Sequence, residues 1–397
     1  MKSEPPTLPK VAAPATKAQI ADAFRALFPA SNAPRVFRGP GRVNLIGEHT
    51  DYNMGFVCPI ALHLACTVAA AANSDGVLRI YSHNLDQLRE FPIADLSNRQ
   101  PARDWTDYVI GVAQQVLRLG HPIEGQNLYI SSTVPVGAGM SSSAALEVSV
   151  ALALLGDRKL PPIELALLAR RAENLFVGTP CGIMDQYISV FGVEHAALKI
   201  DCRDLSYTRV PIPESVEILA VNSMVKHELG QSAYGERVRE CAAAVEAIQR
   251  RHPEVSSLRD ADLTMVNELS GNVPTVIVKR ARHVVSEDLR VTEFVDAGSG
   301  GDRKRMGELF LASHRSLQHD YEVSCEELDF LVDLAVTLPG VWGARMTGGG
   351  FGGCTVNLVA PDHAAEFTQR ITEAYSERYG LTPEVHACHP AAGASEL

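Results

Sequence analysis

The chain has 397 residues, 46% of them hydrophobic and 21% charged, enough apolar material for a sizeable core and for two or three units of domain size. A formal net charge of −11 argues against a broad basic face for nucleic acid or an anionic membrane, so any bound anion must be held by local dipoles and a metal ion. No stretch reaches eighteen uncharged apolar residues and the proline-rich start has no signal-peptide core; a cytoplasmic protein, neither secreted nor membrane-spanning, is expected.

Residues 1–30 read as a mobile arm followed by a first helix from Ala18 to Phe28. Short strands are expected at Val36-Phe37, Val57 to Ile60, Leu64 to Ala72 and Val77 to Tyr81, between polar or glycine turns. Trp105, Tyr108, Val109, Val112 and Val116 have helical spacing, with Gly120 as the stop. A strand from Leu128 to Val134 then feeds the run PVGAGMSSSAALE, residues 135–147. Gly137 and Gly139 lack a Cβ, so their backbone can bend and turn its amides toward an anion. Ser141, Ser142 and Ser143 open an apolar helix that runs to Leu155 and stops at Gly156. The free N–H groups of a first turn attract phosphate oxygens, and serine hydroxyls add donors or a magnesium ligand. No lysine follows the glycines, so this is not a Walker A loop. Taken alone, the same residues would also serve as an N-capped core helix after a tight turn.

Pro162 suits the first turn of the next helix, whose inner face is Leu165, Leu168, Ala169, Ala172 and Phe176, with Glu173 on its later part. The prolines at 211 and 213 mark the best internal boundary, dividing a first domain, 31–212, from a second, 213–397. In the second, helices are expected at Tyr234 to Gln249, Arg303 to Leu317 and Ser324 to Leu338, the last opened by a Ser324/Glu327 capping box. A strand from Thr355 to Val359 precedes a helix capped by Asp362 and carrying Phe367, Ile371 and Tyr375. The eight cysteines show no C-x-x-C spacing and read as reduced thiols. His314, His319, His386 and His389 read as surface or structural residues.

Two further signatures flank the phosphate-loop run: GPGRVNLIGEHTDYN at 39–53 and RMTGGGFGGC at 345–354, with PCGIMDQ at 180–186 between. In this order the motifs resemble those of the GHMP small-molecule kinases, and the first resembles the galactokinases in particular. The resemblance covers nearly all of the chain after about residue 35. It implies an α+β, two-domain GHMP kinase fold. The active site would lie between an N-terminal α/β domain with a left-handed βαβ crossover and a ferredoxin-like C-terminal domain. The general rule for parallel strands would have given a right-handed crossover.

The resemblance also implies ATP-dependent phosphorylation of D-galactose at its anomeric hydroxyl. Asp185 matches the family's base and Arg42 its cationic partner, which would keep Asp185 ionised and stabilise charge on the transferred group. Glu48, His49, Asp51, Gly182 and Tyr234 match the family's sugar-binding positions, and Ser143 and Glu173 those for Mg2+. Taken singly, Asp185 and Arg42 would read as a surface ion pair and Glu173 as a solvated helix residue. Zinc at Glu48, His49 and Asp51 is disfavoured because no second histidine follows at helical spacing. The glycines at 348–353 are expected to dock against the phosphate loop, since Phe351 lies between them. Kinases for N-acetylgalactosamine or arabinose, and a non-catalytic galactose-sensing regulator on the same body, are the alternatives. The intact HTDYN and SSSAA runs speak against both.

Overall fold

The longest strand organises the first half of the fold. In the computed structural model, which describes residues 16–98, 100–226 and 230–397, Pro59–Ala72 runs for 14 residues and is buried on both faces. Val68 and Ala70 point into the main core, while Ala69 and Ala71 lie on the other face beneath the helix Lys17–Leu27. In chain order the elements to residue 211 are α1 (Lys17–Leu27), β1 (Arg35–Asn44), β2 (Phe56–Val57), β3 (Pro59–Ala72), β4 (Val77–Ser82), β5 (Gln87–Pro92), α2 (Thr106–Arg118), β6 (Gln126–Ser132), α3 (Ser142–Leu155), α4 (Pro162–Ala172), α5 (Met184–Phe191), β7 (Ala196–Asp201) and β8 (Tyr207–Pro211). Then come β9 (Glu217–Lys226), α6 (Gly230–Gln249), α7 (Leu263–Glu268), α8 (Thr275–Ser299), α9 (Arg303–Ser316), α10 (Glu326–Ala335), β10 (Val341–Thr347), β11 (Gly352–Val359), α11 (Ala364–Tyr379), β12 (Glu384–Ala387) and β13 (Ser395–Glu396).

A six-stranded sheet has the order β13-β1-β3-β6-β4-β5, with β4 and β6 parallel and α2 in the connection between β5 and β6. Strands β2, β7 and β8 form a small second sheet. The third sheet, β10-β11-β9-β12, takes the strands that follow residue 213 in the order second, third, first, fourth, all antiparallel, which is the ferredoxin-like arrangement. Its Leu219, Val221, Ala344 and Val359 pack under α10 and α11, whereas Ile218, Ala220, Val356 and Leu358 enter the main core shared with the first half. That alternation follows from the two-residue period of a strand. β13 returns to the first sheet and pairs with β1.

The early helices and their glycine stops lie where the sequence places them: Gly120 and Gly156 follow α2 and α3 with positive φ. The first fifteen residues of the expected arm lie outside the described residues. Three details differ. The N-cap of α10 is Cys325 and not Ser324, whose hydroxyl donates to Asp329 instead of closing a box with Glu327. Asp362 lies in a 3-10 turn ahead of α11, whose N-cap is His363. Residues Glu173–Val177, expected to continue α4, widen into a π turn. Helices α5, α7 and α8 have no counterpart in the sequence reading; α8 runs 25 residues, but its β-branched residues and buried Arg280, His283 and Glu287 interrupt the apolar stripe by which helices are recognised.

Glycines 39 and 41 let β1 lie directly on the start of α3. A Cβ on Gly39 would sit 2.4 Å from the Ala145 carbonyl oxygen, and one on Gly41 2.7 Å from that of Met140. Neither contact can be relieved by a side-chain rotation. Gly39→Ala should therefore cost about 1–3 kcal/mol of unfolding free energy, seen as a lower urea midpoint at unchanged m-value. An unshifted midpoint would mean that the β1–α3 contact is soft.

Candidate active site

Arg42 occupies the irregularity in β1, where the register against β3 shifts between Pro40 and Arg42. Its side chain is nearly buried and meets Asp185, at the start of α5, with both arms of the guanidinium: Nε donates to Oδ1 at 2.9 Å and Nη2 to Oδ2 at 2.8 Å. The planar fork fixes the carboxylate in direction as well as charge. Nη1 is held by the Gly139 carbonyl, and the Arg42 N–H donates to Met140 O at 3.0 Å. Ser141 donates its hydroxyl to Asp185 Oδ2. Nη2 also lies 2.7 Å from Oδ1, so the guanidinium engages both carboxylate oxygens. Ser141 itself has φ +57°, and no side chain caps α3. The first-turn amides at Ser142 and Ser143 are therefore left for a ligand or water. Gly137 and Gly139 both have positive φ, as a cradle of converging amides requires.

The segment Gly47 to Phe56 is a self-fastened loop. The Thr50 hydroxyl reaches the carbonyls of Gly47 and Phe56 at 2.8 and 2.6 Å, and Asn53 Nδ2 donates to His49 O at 2.8 Å. From behind, α8 grips it. Glu287 accepts the Gly47 N–H, His283 Nε2 lies 3.1 Å from Glu48 O, and Asp288 accepts the Phe56 N–H. Met54, which precedes Gly55 in the signature, is exposed at the loop's outer edge.

Glu48 is fully enclosed. Its oxygens accept from Asn44 Nδ2 at 2.6 Å, Thr347 Oγ1 at 3.0 Å and Gly348 N at 2.8 Å, and lie 2.6 Å from Arg345 Nη2. Burial pushes its carboxyl up while the Arg345 guanidinium and the Gly348 N–H pull it down. His49 is neutral, because burial, with His283 and Arg237 nearby, lowers it to about 3. Its Nδ1 is 2.9 Å from the Tyr52 hydroxyl; among the described residues no group meets Nε2 in hydrogen-bond geometry, although the Gly349 backbone acts on the ring and pulls it upward. The Tyr234 ring lies tilted beside it, centroids 5.4 Å apart. Asp51 faces Gly182, where a Cβ would lie 1.8 Å from Asp51 Oδ2, so only glycine fits. Burial first, and the Asp185 charge second, push Asp51 up to about 6.

Glu173 opens the π turn, and burial followed by Asp185 raises it to about 7. Cys181, Gln186 and Ser143 pull it back down, Gln186 through an amide N–H that donates to Oε2 at 2.7 Å, while the Cys181 thiol donates to Asn174 Oδ1 at 3.0 Å. Arg42, Glu48, His49, Asp51, Glu173, Gly182, Asp185 and Tyr234 all line one cavity of about 150 Å3, completed by Thr179, Cys181, Met184, Gly348 and Gly349. Ser141, Ser142, Ser143, Gly137 and Gly139 lie beside it and do not line it. The turn at 348–353 is docked: a Cβ on Gly348 would meet Gly139 O at 3.2 Å, and Phe351 donates its N–H to Val323 O at 2.8 Å.

Sequence reasoning left Asn44, Arg345, Thr347, Gln186 and Glu147 without a role. Glu147 carried a signal, as the lone charge in the apolar run of α3. Tyr321, whose hydroxyl lies 2.7 Å from that of Tyr52 and whose ring lies 4.7 Å from that of His49, and His283 carried none. His314 is a buried structural residue, accepting the Met346 N–H and facing Asp329.

Residues 22–72 match the family model described as the galactokinase galactose-binding signature, 107–193 the GHMP kinases N terminal domain and 292–377 the GHMP kinases C terminal. The chain is 46% identical over 366 residues to a galactokinase of Chloroflexus aurantiacus, covering 91% of this chain and 93% of that one. It is 40% identical to a galactokinase of Actinobacillus succinogenes, covering 95% and 98%. The solved structure of Lactococcus lactis galactokinase complexed with galactose superposes with a TM-score of 0.91 at 34% identity, covering 96% and 99%. A mevalonate kinase at 17% identity and TM-score 0.66, over 89% and 98% of the two chains, shares the fold.

Asp51 generates a stability prediction. Its folded-state pKa lies about two units above the ordinary 3.8, so above pH 6 the charged form carries a penalty of about 3 kcal/mol. That penalty disappears as pH falls through 6 toward 4. Asp51→Asn should therefore raise the unfolding free energy at pH 8 by a large part of this amount and by little at pH 4. Equal effects at the two pH values would show that the carboxyl is not destabilised by burial.

Proposed function

This chain belongs to the galactokinase family of the GHMP kinases, and we propose that it transfers the γ-phosphoryl group of ATP to the anomeric hydroxyl of D-galactose, giving α-D-galactose 1-phosphate and ADP. The observation that carries this reading is the single cavity uniting Arg42, Glu48, His49, Asp51, Gly182, Asp185 and Tyr234 beside the uncapped start of α3. The sugar would fill the cavity and the nucleotide phosphates would lie along the glycine and serine loop.

Asp185 is the group to receive the hydroxyl proton. Its carboxylate lines the cavity, and Arg42 holds it in place. As the sugar oxygen bonds to the γ-phosphorus, its hydrogen passes to Asp185 and the bond to ADP breaks, its electrons leaving with ADP. Arg42 stands next to the charge that develops. Asp51 as acceptor, His49 Nε2 and the Tyr234 phenol face the ring hydroxyls and would distinguish epimers, because a misplaced hydroxyl leaves a buried partner unpaired. Glu48, its oxygens already engaged, serves by holding the loop.

Ser143 and Glu173 fit Mg2+. Both offer hard oxygen atoms, and a bound cation would relieve the buried Glu173 carboxylate, which is pushed up to about 7. Among the described residues no cluster of three or more His, Cys, Asp or Glu side chains is arranged for a metal, so phosphate oxygens and water would complete the shell. Once bound, the ion would neutralise phosphate charge. Among the described residues no helix is long and apolar enough to cross a membrane, and all eight cysteines are free thiols, which accords with a cytoplasmic enzyme.

ADP release with a sugar panel in the presence of magnesium tests the reading: turnover with D-galactose should far exceed that with glucose or N-acetylgalactosamine. Equal rates would overturn the substrate assignment, and tight galactose binding without turnover would identify a sensor. Asp185→Asn should keep both ligands and the fold yet slow single-turnover transfer by about 10²–10⁴-fold. Retention of more than about a tenth of the rate would leave positioning and electrostatics as the whole mechanism.

A further inference from the structure

Two fully buried polar side chains near the cavity have no part in the reaction as described. Gln186 and Glu147 are both without solvent exposure, and neither lines the cavity. The Gln186 amide nitrogen lies 2.7 Å from Glu173 Oε2 and 3.0 Å from Glu147 Oε2. Its two hydrogens are thereby spent, one on each carboxyl group. Among the described residues the carbonyl oxygen of Gln186 and Oε1 of Glu147 have no partner. A half-satisfied polar pair in a core is less favourable than two aliphatic side chains of the same volume. Stability is therefore not what this arrangement provides; its effect falls on Glu173.

Glu173 needs such a hold. It stands where α4 widens into the π turn, so the helix alone does not fix its direction. The hydrogen bond from Gln186 engages Oε2, while Cys181 and Ser143 also act on the carboxylate. Gln186 follows Asp185 directly on α5. One helical turn thus sets both the proton acceptor and the direction of the carboxylate proposed for Mg2+.

We propose that Gln186, anchored on Glu147, is the positioning residue of the metal site, holding Glu173 against Ser143 so that both oxygens address one cation at a fixed distance from Asp185. This rests on the galactokinase reading given above. Gln186 touches neither sugar nor metal and acts through Glu173.

The test uses the full chain with Mn2+ as a paramagnetic probe, titrated in the presence of ADP and read by electron paramagnetic resonance. Gln186→Met removes both N–H groups at nearly constant length. Its affinity for Mn2+ with ADP should fall by about tenfold or more, while galactose affinity measured without metal stays within about twofold. Glu147→Leu, which deletes the anchor, should act in the same direction, and Glu147→Gln, which keeps an oxygen for Gln186, should restore most of the affinity. If Gln186→Met does not fold, Gln186→Asn, one methylene shorter, replaces it with the same loss expected. Unchanged Mn2+ affinity in a folded variant, or galactose affinity falling as far as metal affinity, overturns the proposal. Wild-type protein that binds Mn2+ and ADP but phosphorylates no sugar would refute the galactokinase reading and leave this assignment standing.

Discussion

Glu48 is a carboxylate removed from water, ringed by the Asn44 amide, the Thr347 hydroxyl, the Gly348 N–H and the Arg345 guanidinium. A charge this deep is tolerable only when its lone pairs are all engaged, and removing any one donor would leave the rest uncompensated. Two of those donors belong to the β10 strand and one to the glycine turn beyond it, so the carboxylate ties the first half of the fold to the second. The position of His49 and Asp51 follows, because they stand on the same loop one and three residues later. So does the approach of Gly348 to Gly139, which brings the second glycine turn onto the phosphate loop. The cavity is the space left when that tie is made.

The walls of this space are unbalanced in charge. Asp51, Glu173 and, behind them, Glu147 are all pushed upward by burial and by neighbouring carboxylates. Arg42 is the guanidinium in direct contact with Asp185, and its reach ends there. Such crowding lowers the stability of the empty protein and favours whatever brings positive charge and hydroxyl donors into the gap. A metal-bound phosphate at one end and a polyhydroxylated ring at the other meet both requirements.

The parts of this site that could be read from sequence share one property: their chemistry is local. Glycines at 137, 139 and 182, the serines opening α3 and the aspartate of PCGIMDQ announce themselves because backbone geometry or close approach restricts what can stand there. Helices α1, α2 and α3 were legible through their apolar residues, and α2 and α3 also through the terminal glycines Gly120 and Gly156. What stayed hidden depends on distant neighbours. Ser324 and Glu327 have the spacing of a capping box, yet Asp329 takes the Ser324 hydroxyl, a competition that no spacing rule weighs. Helix α8 escaped notice for the same reason that it matters, since Arg280, His283, Glu287 and Asp288 spoil its apolar stripe by being turned inward to other groups. Gln186 stood inside a quoted motif without a role, because its partners, Glu147 and Glu173, come from two other helical segments.

The grip of α8 on the loop from Gly47 to Phe56 determines how late the pocket forms. Glu287 and the Gly47 amide are 240 residues apart in sequence, and Glu48 and the Gly348 amide are 300 apart. Contacts so remote close late, after the entropy of the intervening chain has been overcome. On the ribosome, a nascent chain already displaying His49, Asp51 and Asp185 has no formed pocket until the α8 and β10 segments have left the exit tunnel. Ligand affinity is thus acquired near the end of synthesis, and galactose can act on folding only as a late-stage stabiliser of a nearly finished chain.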